Sequence, residues 1–170
     1  MLEHLKKGLP KMTESKKEMF IKKTIEQDQE KAEAIANNTR NIDNYRKGMF
    51  DLGKQITSWL DGTSVSIKNL DRDFEDASAQ KVYRINTIEL KRGNNIINII
   101  PTACFNIAPR NFSAEILLNG KNKLGNIFMN ENFTWDLIDI ESTYPNSKKI
   151  TYSTLDEDLF FDVIEPLAQA

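Results

Sequence analysis

Apolar residues recur between positions 35 and 60 at alternating steps of three and four. Ile35, Ile42, Met49 and Ile56 stand seven apart, and Asn38, Tyr45, Leu52 and Trp59 interleave with them. Such a stripe is what a helix shows when it buries one face, and it defines a seam of Ile35, Ile42, Tyr45, Met49, Leu52, Ile56 and Trp59. Upstream, Ser15-Lys16-Lys17-Glu18 has the form of a capping box, in which the Ser hydroxyl takes the N3 amide and the Glu carboxylate reaches back to the cap amide. Downstream, Asp61-Gly62 places a residue able to adopt the left-handed conformation just past the last turn. Within this stretch Asn37-Asn38-Thr39-Arg40-Asn41 is a cluster of weak helix formers that favour caps and turns. The pattern therefore predicts two helices, about 15–36 and 41–60, rather than one rod of about 68 Å at 1.5 Å per residue. Tyr45 and Trp59 are large for a two-stranded zipper, where Leu is favoured, so the seam is read as a core face with an oligomer seam as the alternative.

Beyond residue 80 the pattern changes to that of strands. Val82–Leu90 and Ile96–Ile100 are β-leaning, and Lys91-Arg92-Gly93-Asn94-Asn95 between them suits a hairpin loop. Tyr83 and Ile85 share one parity while Ile88 and Leu90 share the other, which predicts a bulge near Asn86-Thr87 or burial on both faces. Asn119-Gly120 is a strong two-residue hairpin signal between 114–118 and 124–129. A strand over 133–140, a turn at Tyr144-Pro145-Asn146-Ser147 and a short strand over 149–153 follow. Thr154-Leu155-Asp156-Glu157 reads as a second capping box, ahead of an apolar helix face of Leu155, Leu159, Phe160, Val163, Ile164 and Leu167; Pro166 limits that helix to roughly three turns. The expected fold class is α+β: an N-terminal helix or helical hairpin, an antiparallel sheet of five to six strands, and a capped C-terminal helix. The expected organisation is a flexible N-terminus over 1–14, a helical arm over 15–40 and a single α+β domain over 41–170.

Composition supports a folded chain: of 170 residues, 39% are hydrophobic and 28% charged, which excludes collagen-like and wholly disordered classes. The longest apolar stretch, 96–107, is broken by Asn98, Pro101, Thr102 and Asn106, and a membrane-spanning helix needs about 20 apolar residues. No apolar h-region follows the basic start. A cytoplasmic protein without a membrane partner is the expectation, and a lone thiol fits a reducing compartment. The net charge of -2 conceals an asymmetry: residues 1–50 carry +3, 51–130 carry +2 and 131–170 carry -7.

Candidate chemistry is sparse. With one histidine (His4) and one cysteine (Cys104), a single chain can build neither a disulfide nor a Cys/His metal cage nor a His-based triad. His4 precedes every credible element, where nothing would hold a catalytic base in place. Cys104 follows Pro101-Thr102-Ala103 and reads as a small buried hydrophobe. Asp71-Arg72-Asp73-Phe74-Glu75-Asp76 opens like a calcium loop, but Asp76 stands where the loop needs Gly and Val82 where it needs Glu. Asp71, Asp73, Glu75 and Asp76 are thus a weak divalent candidate within what reads as an acidic, solvated loop. No metal or cofactor is assigned, and the phosphate-binding, dinucleotide-binding and nucleophile-elbow motifs are absent. Lys6, Lys7, Lys11, Lys16, Lys17, Lys22 and Lys23 could track phosphates, yet few aromatics interleave with them, which argues against nucleic acid as the partner.

The most suggestive surface is Trp135 with Asp136, Asp139 and Glu141, an aromatic platform edged by acids. Together with the acidic tail it points to a non-enzymatic protein-binding module steered toward a basic partner, as an inhibitor or immunity protein is. The alternatives are a self-assembling structural protein using 15–60, a carboxylate- or metal-dependent enzyme, and a nucleic-acid binder using the N-terminal lysines.

Overall fold

The computed structural model describes residues 13–106, 110–143 and 147–169. The chain divides into two compact units, one up to Thr39 and one from Arg40 onward. Helix α1 (Lys16–Trp59) is a single element of 44 residues. Its start follows the capping box: Ser15 N donates to Glu18 Oε2 and Glu18 N donates to Ser15 Oγ, both at 3.1 Å. The expectation of two helices is corrected, because α1 runs through Asn37–Asn41 without a break. Propensity is a weak prior of a few tenths of a kcal/mol per residue. Thr39 also turns its hydroxyl onto the Ile35 carbonyl at 3.0 Å, so the side chain does not compete for the helix amides. Past the helix end, Gly62 takes φ +80°, the left-handed conformation the sequence reserved for it.

From Arg40 onward the described residues hold seven strands: β1 (Ser66–Asp76), β2 (Lys81–Arg92), β3 (Asn95–Ala103), β4 (Ser113–Leu118), β5 (Asn122–Met129), β6 (Trp135–Thr143) and β7 (Ser147–Thr154). They form one antiparallel meander in chain order. A short helix α2 (Glu157–Val163) and a 3-10 turn (Glu165–Gln169) close the chain. The class is α+β with seven strands rather than five to six. The additional strand is β1, which occupies the residues read as an acidic loop. Asp71, Arg72, Asp73 and Glu75 have little intrinsic β preference. They are held by an uninterrupted register with β2, from Ser66↔Lys91 to Asp76↔Lys81, on the edge of the sheet, where charged side chains reach water.

The parity conflict in β2 resolves as burial on both faces: Ile85 and Asn86 are both buried and the β1–β2 register shows no shift. Register shifts fall instead at Pro101/Ala103 and Ile116/Leu117. Asn119 (φ +52°) and Gly120 (φ +71°) make the tight β4–β5 turn, closed by Lys121 N to Leu118 O at 3.2 Å. Asn119 also extends the β3 ladder, donating its N–H to Ile96 O (2.7 Å) and accepting Ile96 N on Oδ1 (2.8 Å).

The core forms where the seam of α1 meets the sheet. Ile42, Tyr45, Met49, Leu52 and Ile56 are buried together with Ile88, Leu90, Ile97, Ile99, Ile116 and Ile127. Trp59 is half-buried, its ring 5.2 Å from that of Phe160. Ile35, by contrast, is 63% exposed and lies outside this core. Two glycines set how closely the helix approaches. A Cβ on Gly48 would stand 2.2 Å from Met129 Sδ, and one on Gly53 would stand 2.1 Å from Asn69 Oδ1. Each glycine costs a helix interior about 1 kcal/mol relative to Ala, which close packing offsets.

The second capping box is displaced by two residues. Thr154 ends β7, and the N-cap is Asp156, whose carboxylate accepts from Leu159 N at 2.9 Å. Leu155 and Phe160, at the two positions of a hydrophobic staple, are both buried. Pro166 lies in the 3-10 turn after α2 has ended at Val163, so the α-helix is shorter than three turns.

Candidate partner surface and polar cavity

Strand alternation decides the fate of the acidic platform. Trp135, Asp139 and Glu141 share one parity in β6 and Asp136 has the other, so the four cannot form one surface. Trp135 is 3% exposed and donates Nε1–H to Gly48 O at 3.2 Å, which makes it a core residue and corrects its reading as a surface platform. Asp136 is buried on the opposite face and neutralised by Arg110, with Nη1 2.5 Å from Oδ2. Asn130 Nδ2 donates to its other oxygen at 3.3 Å. Asp139 is exposed opposite Thr151. Glu141 pairs in register with Lys149, and its side chain lies outside the described set.

Around Asp136 the chain builds a polar cavity of about 550 Å³, lined by Arg110, Asn111, Phe112, Met129, Asn130, Glu131, Asn132 and Asp136. The β5–β6 turn forms one wall. Asn130 Oδ1 accepts Asn132 N (2.9 Å) and Thr134 N (3.2 Å), and Asn130 N donates to Thr134 O (2.8 Å). The Arg110 guanidinium lies 3.8 Å over the ring of Tyr152. Phe112 and Phe133 both have φ near +60°. Sequence reasoning singled out Asp136 only as a surface acid and did not single out Arg110, Asn130 or Tyr152 for this site, because the Arg110–Asp136 ion pair and the Arg110–Tyr152 contact join residues too far apart in sequence to leave a local spacing signal.

The weak divalent candidate does not assemble. Asp71, Asp73 and Glu75 are exposed on one parity of β1, and Asp71 pairs with Arg84 at 3.4 Å. Asp76 has the other parity, is 1% exposed and is fully engaged as an acceptor. Its Oδ1 accepts Ser78 N (3.0 Å), Ser78 Oγ (2.5 Å) and Ala79 N (3.3 Å); its Oδ2 accepts Tyr83 OH (2.5 Å) and Cys104 N (3.0 Å). This knot ties the β1–β2 turn to the end of β3. Among the described residues, no group of three or more His, Cys, Asp and Glu side chains is placed to hold a metal ion.

Nearby groups are held neutral. Burial, and then the Asp76 charge, push the Cys104 thiol up to about 12, far from the range of a reactive thiolate. Burial and the hydrogen bond to Asp76 raise Tyr83 well above the usual phenol value. Burial does the same for Tyr45, whose hydroxyl donates to Ser113 O and accepts Thr102 N at 3.1 Å. His4, Lys6, Lys7 and Lys11 lie outside the described residues. Lys16, Lys17, Lys22 and Lys23 are exposed on α1, and Lys22 pairs with Glu14 at 3.3 Å.

Two surfaces remain open. Glu157, Asp158 and Asp162 of α2 are exposed and form no ion pair among the described residues. In the unit before Arg40, Met19, Phe20, Ile21, Ile25 and Ile35 are all exposed, Phe20 by 68%. No helix among the described residues is long and apolar enough to cross a membrane. No protein-family model, curated protein or solved structure gives a significant match to this chain.

Proposed function

We propose that this chain is a non-enzymatic protein-binding module that engages its partner through α1 ahead of Arg40 and attracts it with the acidic C-terminal face. The observation that carries this reading is the run of exposed Met19, Phe20, Ile21, Ile25 and Ile35, half of the ten large exposed hydrophobics among the described residues. Apolar side chains concentrated on an otherwise charged helix are a feature of interaction surfaces. The acids of α2, which form no ion pair among the described residues, suit long-range steering of a basic partner. Of the groups most able to do chemistry, Asp76 and Tyr83 are bonded to one another in the knot at the end of β1, and the Cys104 thiol is buried.

Capture from native lysate tests this, using the full chain beside Phe20→Glu/Ile25→Lys and Glu157→Lys/Asp158→Lys variants. The expected result is a partner whose retention drops at high salt and is lost with the helix variant. A partner held equally by all three chains, or none held by any, sinks the reading. The same exposed run also fits self-assembly, the second reading. Light scattering separates the two: a mass that rises with concentration and reverts to monomer in Phe20→Glu/Ile25→Lys supports self-assembly, and a monomer at all concentrations rejects it.

A further inference from the structure

We propose that the cavity beside Asp136 binds an uncharged polyhydroxylated ligand, a saccharide unit, and that the strained β5–β6 turn is shaped to receive it. Its volume of about 550 Å³ lies in the range of small-molecule sites. Donors and acceptors are mixed along its wall, with Arg110, Asn111 and Asn132 beside Glu131 and Asp136. A hydroxyl both donates and accepts, so such a wall suits vicinal hydroxyls. Charge selects against the alternatives. An anion drawn to Arg110 meets two carboxylates, while a cation drawn to those carboxylates meets Arg110. The guanidinium is already fixed by Asp136 at 2.5 Å and by the Tyr152 ring at 3.8 Å, so binding need not order it.

Backbone strain points to the same place independently. Phe112 (φ +59°) and Phe133 (φ +60°) occupy a conformation that Gly or Asn adopts at little cost. Phe112 lines the cavity, and Phe133 follows the lining residues Glu131 and Asn132 in the turn. Phe133 is 48% exposed, so burial does not offset its strain. An exposed ring one position along the chain from the lining residue Asn132 offers an apolar surface for the C–H face of a pyranose.

The test is a titration of the full chain with glucose, galactose, mannose and N-acetylglucosamine, followed by backbone amide NMR, with sodium phosphate and sodium acetate as separate arms. Sugar concentrations extend to about 50 mM, beyond millimolar affinity. The expected result is shift changes confined to residues 110–112 and 129–136 with at least one sugar. Binding is expected to weaken at least tenfold in Asn132→Ala and in Phe133→Gly, while Phe133→Gly melts at a higher temperature than the parent chain because its strain is relieved. No response to any sugar overturns the proposal. So does a response to phosphate or acetate alone, or sugar binding that both variants retain. The elevated melting point shows that loss of binding in Phe133→Gly is not loss of fold.

Discussion

Replacing Asp76 with asparagine puts a donor where every neighbour donates. Oδ1 accepts two backbone N–H groups, from Ser78 and Ala79, and Oδ2 accepts one, from Cys104. The Ser78 and Tyr83 hydroxyls can reverse and accept from an amide, but the backbone groups cannot. An amide nitrogen in the Oδ1 position strands two N–H groups, and in the Oδ2 position only that of Cys104. The second arrangement is therefore favoured, with one buried N–H left unpaired at about 1–3 kcal/mol. The retained bonds weaken as the acceptor loses its charge, by several tenths of a kcal/mol each, while relief of a buried charge works the other way. The net loss is about 2 kcal/mol, or roughly 4–8 °C in melting temperature at 2–4 °C per kcal/mol. Asp76→Ala strands all three N–H groups and is expected to cost about 4 kcal/mol. Tyr83→Phe removes one donor and leaves Oδ2 bonded to Cys104, for about 1 kcal/mol. Urea unfolding of the three variants gives the ranking directly. Asp76→Asn no less stable than Tyr83→Phe would refute the claim that backbone donors, rather than the tyrosine, make Asp76 indispensable.

Other substitutions probe the helix–sheet contact and the buried thiol. Gly53→Ala gains up to about 1 kcal/mol of helix propensity but drives a methyl into Asn69 Oδ1 and Asn86 Nδ2. Asn86 bonds Met49 O and Asn69 there, so a net loss of about 1–2 kcal/mol is expected in thermal melts, and an unchanged or higher midpoint would reject tight packing at Gly53. Gly120→Ala, at φ +71° with open space around it, is expected to cost about 1 kcal/mol from backbone conformation alone, read from urea midpoints. Cys104 is expected to resist alkylation at pH 8 in the folded protein and to react once unfolded. Its folded pKa is raised, so above the ordinary thiol value of about 8.5 the unfolded chain sheds a proton that the folded chain keeps, and stability falls as pH rises toward 12. Tyr45 and Tyr83, both raised, add to that loss above about pH 10. Stability flat between pH 8 and 11 would contradict burial of these three groups.

What is local in this protein was readable from its residues alone. The Ser15–Glu18 box, the Asn119-Gly120 turn, the Gly62 stop and the helical seam from Ile42 to Ile56 each depend on neighbours within a few positions, and each has the local chemistry of its element. The two caps differ instructively: the box at Ser15 is closed by reciprocal bonds between Ser15 and Glu18, whereas at Thr154 the β6–β7 ladder extends one residue further and shifts the N-cap to Asp156. Other features depended on partners far along the chain. Strand β1 exists because β2 pairs with its whole length, against the preference of its charged residues. Trp135 lies inside because the Gly48 carbonyl of α1 awaits its indole N–H, 87 positions earlier. Asp136 is an ion-pair partner rather than an exposed acid because Arg110 reaches it across 26 residues. Local sequence encodes caps, turns and the face a helix buries, since those are settled by bonds between near neighbours. Tertiary structure alone decided which acids stay exposed and where a cavity opens, since pairing and burial depend on groups that only the folded sheet brings together.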